Sequence, residues 1–166
     1  MLLRRSGFRQ QLTPSVRAMN WKRLLIGLIF TCTAPLLAAE TTDVRTALEK
    51  QLASDFTQQK LFGQAVQFDN FFYKPVLKGA IEEKESALAE LFRYCERTTL
   101  IGAGAEEHAY ILKLLLQHWG DEAFAKVLRV QSAEARQKVI WDLDYAYVED
   151  FKKRFPSTYG LAKHDE

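Results

Sequence analysis

The stretch KESALAELFRYCER, from Lys84 to Arg97, sets Leu88, Leu91, Phe92 and Cys95 three and four residues apart with charged residues between them. That period places one apolar stripe along a helix and is incompatible with the alternation of a half-buried strand. The same spacing recurs along the chain. Val44, Leu48, Leu52 and Phe56 predict a helix over residues 43–60, capped by Thr42 or Asp43 and closed by Gly63. Pro75 suits the first turn of a helix that carries Leu77 and Ile81 and runs on into the Lys84 stretch, with Gly79 as a bend that could divide it in two. Ile111, Leu112, Leu115, Leu116 and Trp119 predict a helix over residues 106–119, acidic at its start and stopped by Gly120. Asp121 is then the expected cap of a short helix holding Phe124, Val127 and Leu128. Ser132 is the expected cap of a last one from Ala133 to about Arg154, where Pro156 ends it.

This pattern predicts an all-α fold, a small helical bundle of about five helices. The alternative is a short stack of helical hairpins, similar in architecture to HEAT-like arrays, a likeness that carries no function. No self-similarity at a fixed period is visible, which favours the bundle. The segment from Gln64 to Tyr73, QAVQFDNFFY, fits either a short helix or an irregular extended run.

The charge is unevenly distributed. Residues 1–39 hold six basic residues (Arg4, Arg5, Arg9, Arg17, Lys22, Arg23) and no acidic one, leaving a net charge of −4 from Glu40 onward. Lys22-Arg23, the apolar run LLIGLIFTCTAPLL and Ala38-Ala39 have the order of a secretory signal peptide. The run is too short and too interrupted by Pro35 for a spanning helix of about 20 residues. The expected organisation is therefore a leader over 1–39 with Met19 as the true start, a domain over 40–156 and a tail over 157–166, partly pinned by Tyr159 and Leu161. The expected location is secreted or periplasmic after cleavage near Ala39. Tethering by an uncleaved leader is the alternative, and a mitochondrial transit peptide is disfavoured by the apolar run. An acidic domain without a basic stripe is a poor ligand for nucleic acid or for anionic lipid.

Cleavage at Ala39 would remove Cys32 and leave Cys95 alone, so no intramolecular disulfide is expected. Cys95 reads as a small buried hydrophobe, dispensable for activity, since no histidine lies near it in sequence. His108 and His118 stand ten residues apart on one helix, about 15 Å, too far to share an ion. His118 with Asp121 and Glu122 is the one candidate metal or acid–base group, although its spacing matches no metalloenzyme signature. Asp142, Asp144 and Glu149 read as a solvated face beside Lys138 and Lys152, with Glu149–Lys153 and Asp150–Arg154 as supporting i,i+4 pairs. Gly102-Ala103-Gly104 lacks the strand that a dinucleotide site requires and is expected to be an interhelical loop. Neither a GxSxG motif nor a phosphate loop is present, and no cofactor is expected.

The cluster Phe68, Phe71, Phe72 and Tyr73 is the local anomaly of composition. Asp69, Asn70 and the following Pro75 prevent a long buried helix there, so part of its aromatic surface should remain accessible as a binding edge. The resulting expectation is an exported, non-enzymatic helical protein that binds another protein or an envelope component through these four residues. The alternative is a small periplasmic metal-dependent hydrolase built on His118, Asp121 and Glu122.

Overall fold

The computed structural model of the chain describes residues 43–54 and 60–162. The leader with Met19 and Cys32, the end of the first predicted helix around Phe56, and His164 lie outside these residues. The fold is all-α: among the described residues there is no strand and there are nine helices rather than about five. They are α1 (residues 43–52), α2 (Leu61–Asp69), α3 (Tyr73–Ile81), α4 (Glu85–Arg97), α5 (Ala103–Trp119), α6 (Asp121–Arg129), α7 (Ala133–Tyr145), α8 (Phe151–Arg154) and α9 (Pro156–Tyr159). No helix among the described residues is long and apolar enough to cross a membrane.

The higher count has local causes. Gly63 does not close α1; it lies buried inside α2, which ends at Asn70 in the left-handed conformation (φ 49°). The helix expected through Gly79 breaks at residues 82–84, where Glu83 has φ 59°, and Gly79 sits within α3. A Cβ on Gly79 would come within 2.8 Å of the Ala87 Cβ, so this glycine serves the close approach of α3 and α4 and not a bend. The helix expected from Ala133 to Arg154 stops at Tyr145, because Tyr147 (φ 51°) and Asp150 (φ 49°) both leave the helical region. The Asp150–Arg154 and Glu149–Lys153 pairs therefore do not share one helix.

The long α5 packs against α2, α3, α6 and α7, and α4 packs against α3, α6 and α7. Leu88, Leu91, Phe92, Ile111, Leu112, Leu115, Phe124, Val139 and Leu143 form the centre of the core. Residues 157–162 pack against this core as well. α9 packs on α6, Thr158 is fully buried, and Tyr159, Leu161 and Ala162 lie against the core.

Several helix ends are satisfied by side chains from other helices. Ser132 caps α7 as expected, its Oγ accepting from the Ala135 amide at 3.0 Å. Asp121, by contrast, is the first residue of α6, and its carboxylate accepts from the amides of Ser157 and Thr158, both at 2.8 Å, at the start of α9. Trp119 and His118 donate to the carbonyls of Ala80 and Ile81 at the end of α3, at 3.0 and 3.1 Å. Lys113 donates to the carbonyls of Ala146 and Tyr147 after α7, at 3.2 and 3.0 Å.

The expected GAG loop is displaced toward the N-terminus: Gly102 (φ 51°) precedes α5, and Gly104 is already helical. Gln64 of α2 reaches the chain here, accepting from the Ile101 amide at 3.1 Å and donating to the Ile101 carbonyl at 3.2 Å. A Cβ on Gly104 would lie 2.6 Å from Oε1 of Gln64. Intrinsic helix propensity favours Gly→Ala by up to about 1 kcal/mol. Here the added methyl must expel Gln64, so Gly104→Ala should instead destabilise the domain by about 1–3 kcal/mol in chemical denaturation. A gain in stability would show that the Gln64 clamp is dispensable.

Candidate functional site

Two features distinguish this molecule: a corner with exposed aromatic rings and a polar cluster inside the core. The corner joins α2 to α3. Phe68 and Phe72 are 50% and 65% exposed, whereas Phe71 and Tyr73 are 4% and 1% exposed. The aromatic quartet is thus split by the turn at Asn70, with two rings anchoring the segment and two facing out. Phe71 stacks on Tyr94 with ring centroids 4.0 Å apart, and Tyr73 meets both rings edge-on. The Arg97 guanidinium lies over the Phe71 ring, 5.6 Å from its centroid.

Asp69 fixes the turn. Its carboxylate accepts from Tyr94 Oη at 2.6 Å, Thr98 Oγ1 at 2.9 Å and Thr99 Oγ1 at 2.7 Å, joining the end of α2 to the end of α4. Partial burial pushes this carboxyl up, but the hydrogen bonds from Tyr94, Thr99 and Thr98 outweigh it and hold the group below its ordinary value.

The polar cluster lies deeper. His108 is 2% exposed, and its ring is held at both nitrogens: Nδ1 lies 2.7 Å from Tyr73 Oη and Nε2 lies 3.2 Å from Cys95 Sγ. The Cys95 thiol also donates to the Leu91 carbonyl at 3.2 Å. One assignment uses every proton: Tyr73 donates to Nδ1, Nε2–H donates to sulfur, and the thiol donates to Leu91. The other tautomer would leave the buried Tyr73 hydroxyl proton without an acceptor among the described residues. Asp142 of α7 completes the cluster. One donor atom from each of Cys95, His108 and Asp142 lies within 4.8 Å of the others, the one such three-residue group among the described residues. Lys138 donates to Asp142 Oδ1 at 2.7 Å, while Oδ2 is buried without a hydrogen-bond partner among the described residues.

Burial sets the protonation states. It pushes the Cys95 thiol well up, with the Asp142 charge adding to it, and pushes the Tyr73 hydroxyl well up. It pushes His108 down to about 3, helped by the positive charge of Lys138, so the imidazole is neutral. Asp142 is raised by burial against the opposing effect of Lys138. A nucleophilic cysteine needs a lowered pKa and access to substrate. Cys95 has neither, and the Nδ1 partner of His108 is a phenol in place of a carboxylate. The arrangement does not suit thiol hydrolysis.

His118, Asp121 and Glu122 do not converge on one point. His118 turns toward α3, with Glu83 at 3.8 Å, while Asp121 and Glu122 accept from Ser157 and Thr158 at the start of α9. Asp142 is buried and faces inward, whereas Asp144 and Glu149 are exposed, so the three carboxylates do not form one solvated face. Cys95 lies on the apolar side of α4 as expected, but beside a histidine supplied by the next helix. Compared with known protein families, curated proteins and solved structures, the chain matches none.

The lowered pKa of Asp69 gives a pH test. A carboxyl held below its unfolded value contributes stability that is present above about pH 4 and is lost as pH falls through the folded value. The stability difference between the wild type and Asp69→Ala should therefore shrink on acidification below about pH 4. A difference that stays constant to low pH would mean that the Asp69 charge does not hold the corner.

Proposed function

We propose that the protein is an exported, non-enzymatic helical protein whose mature domain binds a protein partner at the α2–α3 corner. The observation that carries this reading is the exposure of Phe68 and Phe72 on a turn whose other members, Asp69, Phe71 and Tyr73, are tied to α4 and the core. An aromatic ring presented by a rigid backbone loses little entropy on binding, which is why such rings dominate interface energetics. Arg97, exposed beside the corner, favours a partner segment that combines an apolar side chain with a carboxylate. The basic flank, apolar run and small residues ahead of Glu40 support export. Contacts of α2 with α5 and of α4 with α7 support a compact bundle over a linear stack, in which repeats touch only their neighbours.

Substitution separates binding from folding. Phe68→Ala and Phe72→Ala should change stability by no more than about 0.5 kcal/mol, as for exposed sites. Phe71→Ala should cost about 3–5 kcal/mol. A photo-crosslinking residue at position 72 of the full chain, expressed in its host, should give a discrete adduct that Phe68→Ala abolishes. The same residue at exposed Lys152 should give none. Equal crosslinking from both positions would overturn the proposal.

A further inference from the structure

We propose that Cys95, His108 and Asp142 form a zinc site in the core, with Cys95 Sγ, His108 Nε2 and Asp142 Oδ2 as its ligands. The site adjoins the aromatic corner through Tyr73, but it does not depend on the reading of that corner as a binding surface. Three helices deliver the donors: Cys95 from α4, His108 from α5 and Asp142 from α7. One donor atom of each residue lies within 4.8 Å of the others, close enough for side-chain adjustment to bring three donors toward the 2.0–2.3 Å bonds that zinc makes.

The second observation is Asp142 Oδ2. The residue is 9% exposed and this oxygen accepts no hydrogen bond from the described residues, although its neighbour Oδ1 is engaged by Lys138. A buried carboxylate oxygen without a donor is costly, and a cation is the partner it lacks.

The donor set selects the metal. A thiolate excludes calcium and magnesium, which take oxygen ligands, and a carboxylate disfavours copper(I); sulfur, imidazole nitrogen and carboxylate oxygen together suit zinc. Tyr73 supplies the outer support that a metal-binding histidine commonly has. On binding, the Cys95 thiol releases its proton to solvent and gives up its bond to the Leu91 carbonyl. The imidazole proton moves from Nε2 to Nδ1 and is donated to Tyr73 Oη, which frees the Nε2 lone pair for the ion; the Tyr73 hydroxyl proton loses its acceptor in that tautomer, a cost that the new zinc bonds must offset. One thiolate and one carboxylate then balance the two positive charges.

An open groove between α4 and α7 is lined by Glu96, Glu134, Lys138 and Trp141, the first and last being chain neighbours of Cys95 and Asp142. Lys138 both lines this groove and bonds Asp142 Oδ1, so the groove is the surface nearest in sequence to the proposed ligands.

The test uses the full chain, stripped with a chelator and then equilibrated with zinc, or with cobalt(II) as a spectroscopic probe. Expected are stoichiometric zinc, a raised melting temperature, and for cobalt the thiolate charge-transfer band with the intense visible absorption of a tetrahedral ion. Cys95→Ser and Asp142→Asn should each abolish the stoichiometric zinc and the charge-transfer band. Should either variant fail to fold, alkylation of the wild type decides: zinc should slow modification of Cys95, mapped by mass spectrometry, at a denaturant concentration that opens the domain without unfolding it. No zinc uptake by the wild type, zinc retained in Cys95→Ser, an octahedral cobalt spectrum or unchanged alkylation would each overturn the proposal.

Discussion

The imidazole of His108 is the point at which the helices of this domain are brought into register. Tyr73 at the start of α3 and Cys95 near the end of α4 meet its two nitrogens, 2.7 and 3.2 Å away. Apolar packing has no direction, so Leu88, Leu112 and Val139 could be buried in several relative rotations of their helices at similar cost. A buried imidazole with a partner at each nitrogen is far less tolerant, because a shift that breaks either bond leaves an unsatisfied polar group in the core. Around this point the edge-on rings of Tyr73 and Tyr94 complete the packing, and Tyr94 passes the order outward to Asp69 and the turn that presents Phe68 and Phe72.

Helix ends repeat the same logic at the periphery. Leu61 at the start of α2 donates its amide to Glu107 of α5 at 3.0 Å, and α9 depends on Asp121 of α6. α5 serves the ends of α2, α3 and α7 through Glu107, His118 with Trp119, and Lys113. Short helices are marginal on their own, and these contacts supply satisfied ends that their own sequences lack.

What the sequence makes legible follows from the range of each interaction. Period and punctuation are local, so the existence of helices and stops such as Gly120 could be read directly, as could the Ser132 cap. Breaks at Glu83, Tyr147 and Asp150 could not, because none carries a glycine or proline to mark its left-handed backbone. Asp121 has the residue type and position of a local cap, yet its carboxylate is used by a helix more than thirty residues away. His108 did leave a signal: it lies three, four and seven residues before Ile111, Leu112 and Leu115, on the apolar face of α5. Cys95 holds the corresponding place on α4. A polar residue on each of two apolar faces implies that they find each other, but sequence distance concealed the pair, and Asp142 was hidden among the charges around it.

The claim that one shared imidazole couples α3 to α4 is tested most directly by a double-mutant cycle between Tyr73→Phe and Cys95→Ala, followed by chemical denaturation. The two side chains bond opposite nitrogens of His108, and either bond fixes the tautomer available to the other. The account predicts a coupling of about 0.5–3 kcal/mol between the substitutions. Strict additivity would contradict it, showing that His108 merely occupies space between two independent contacts.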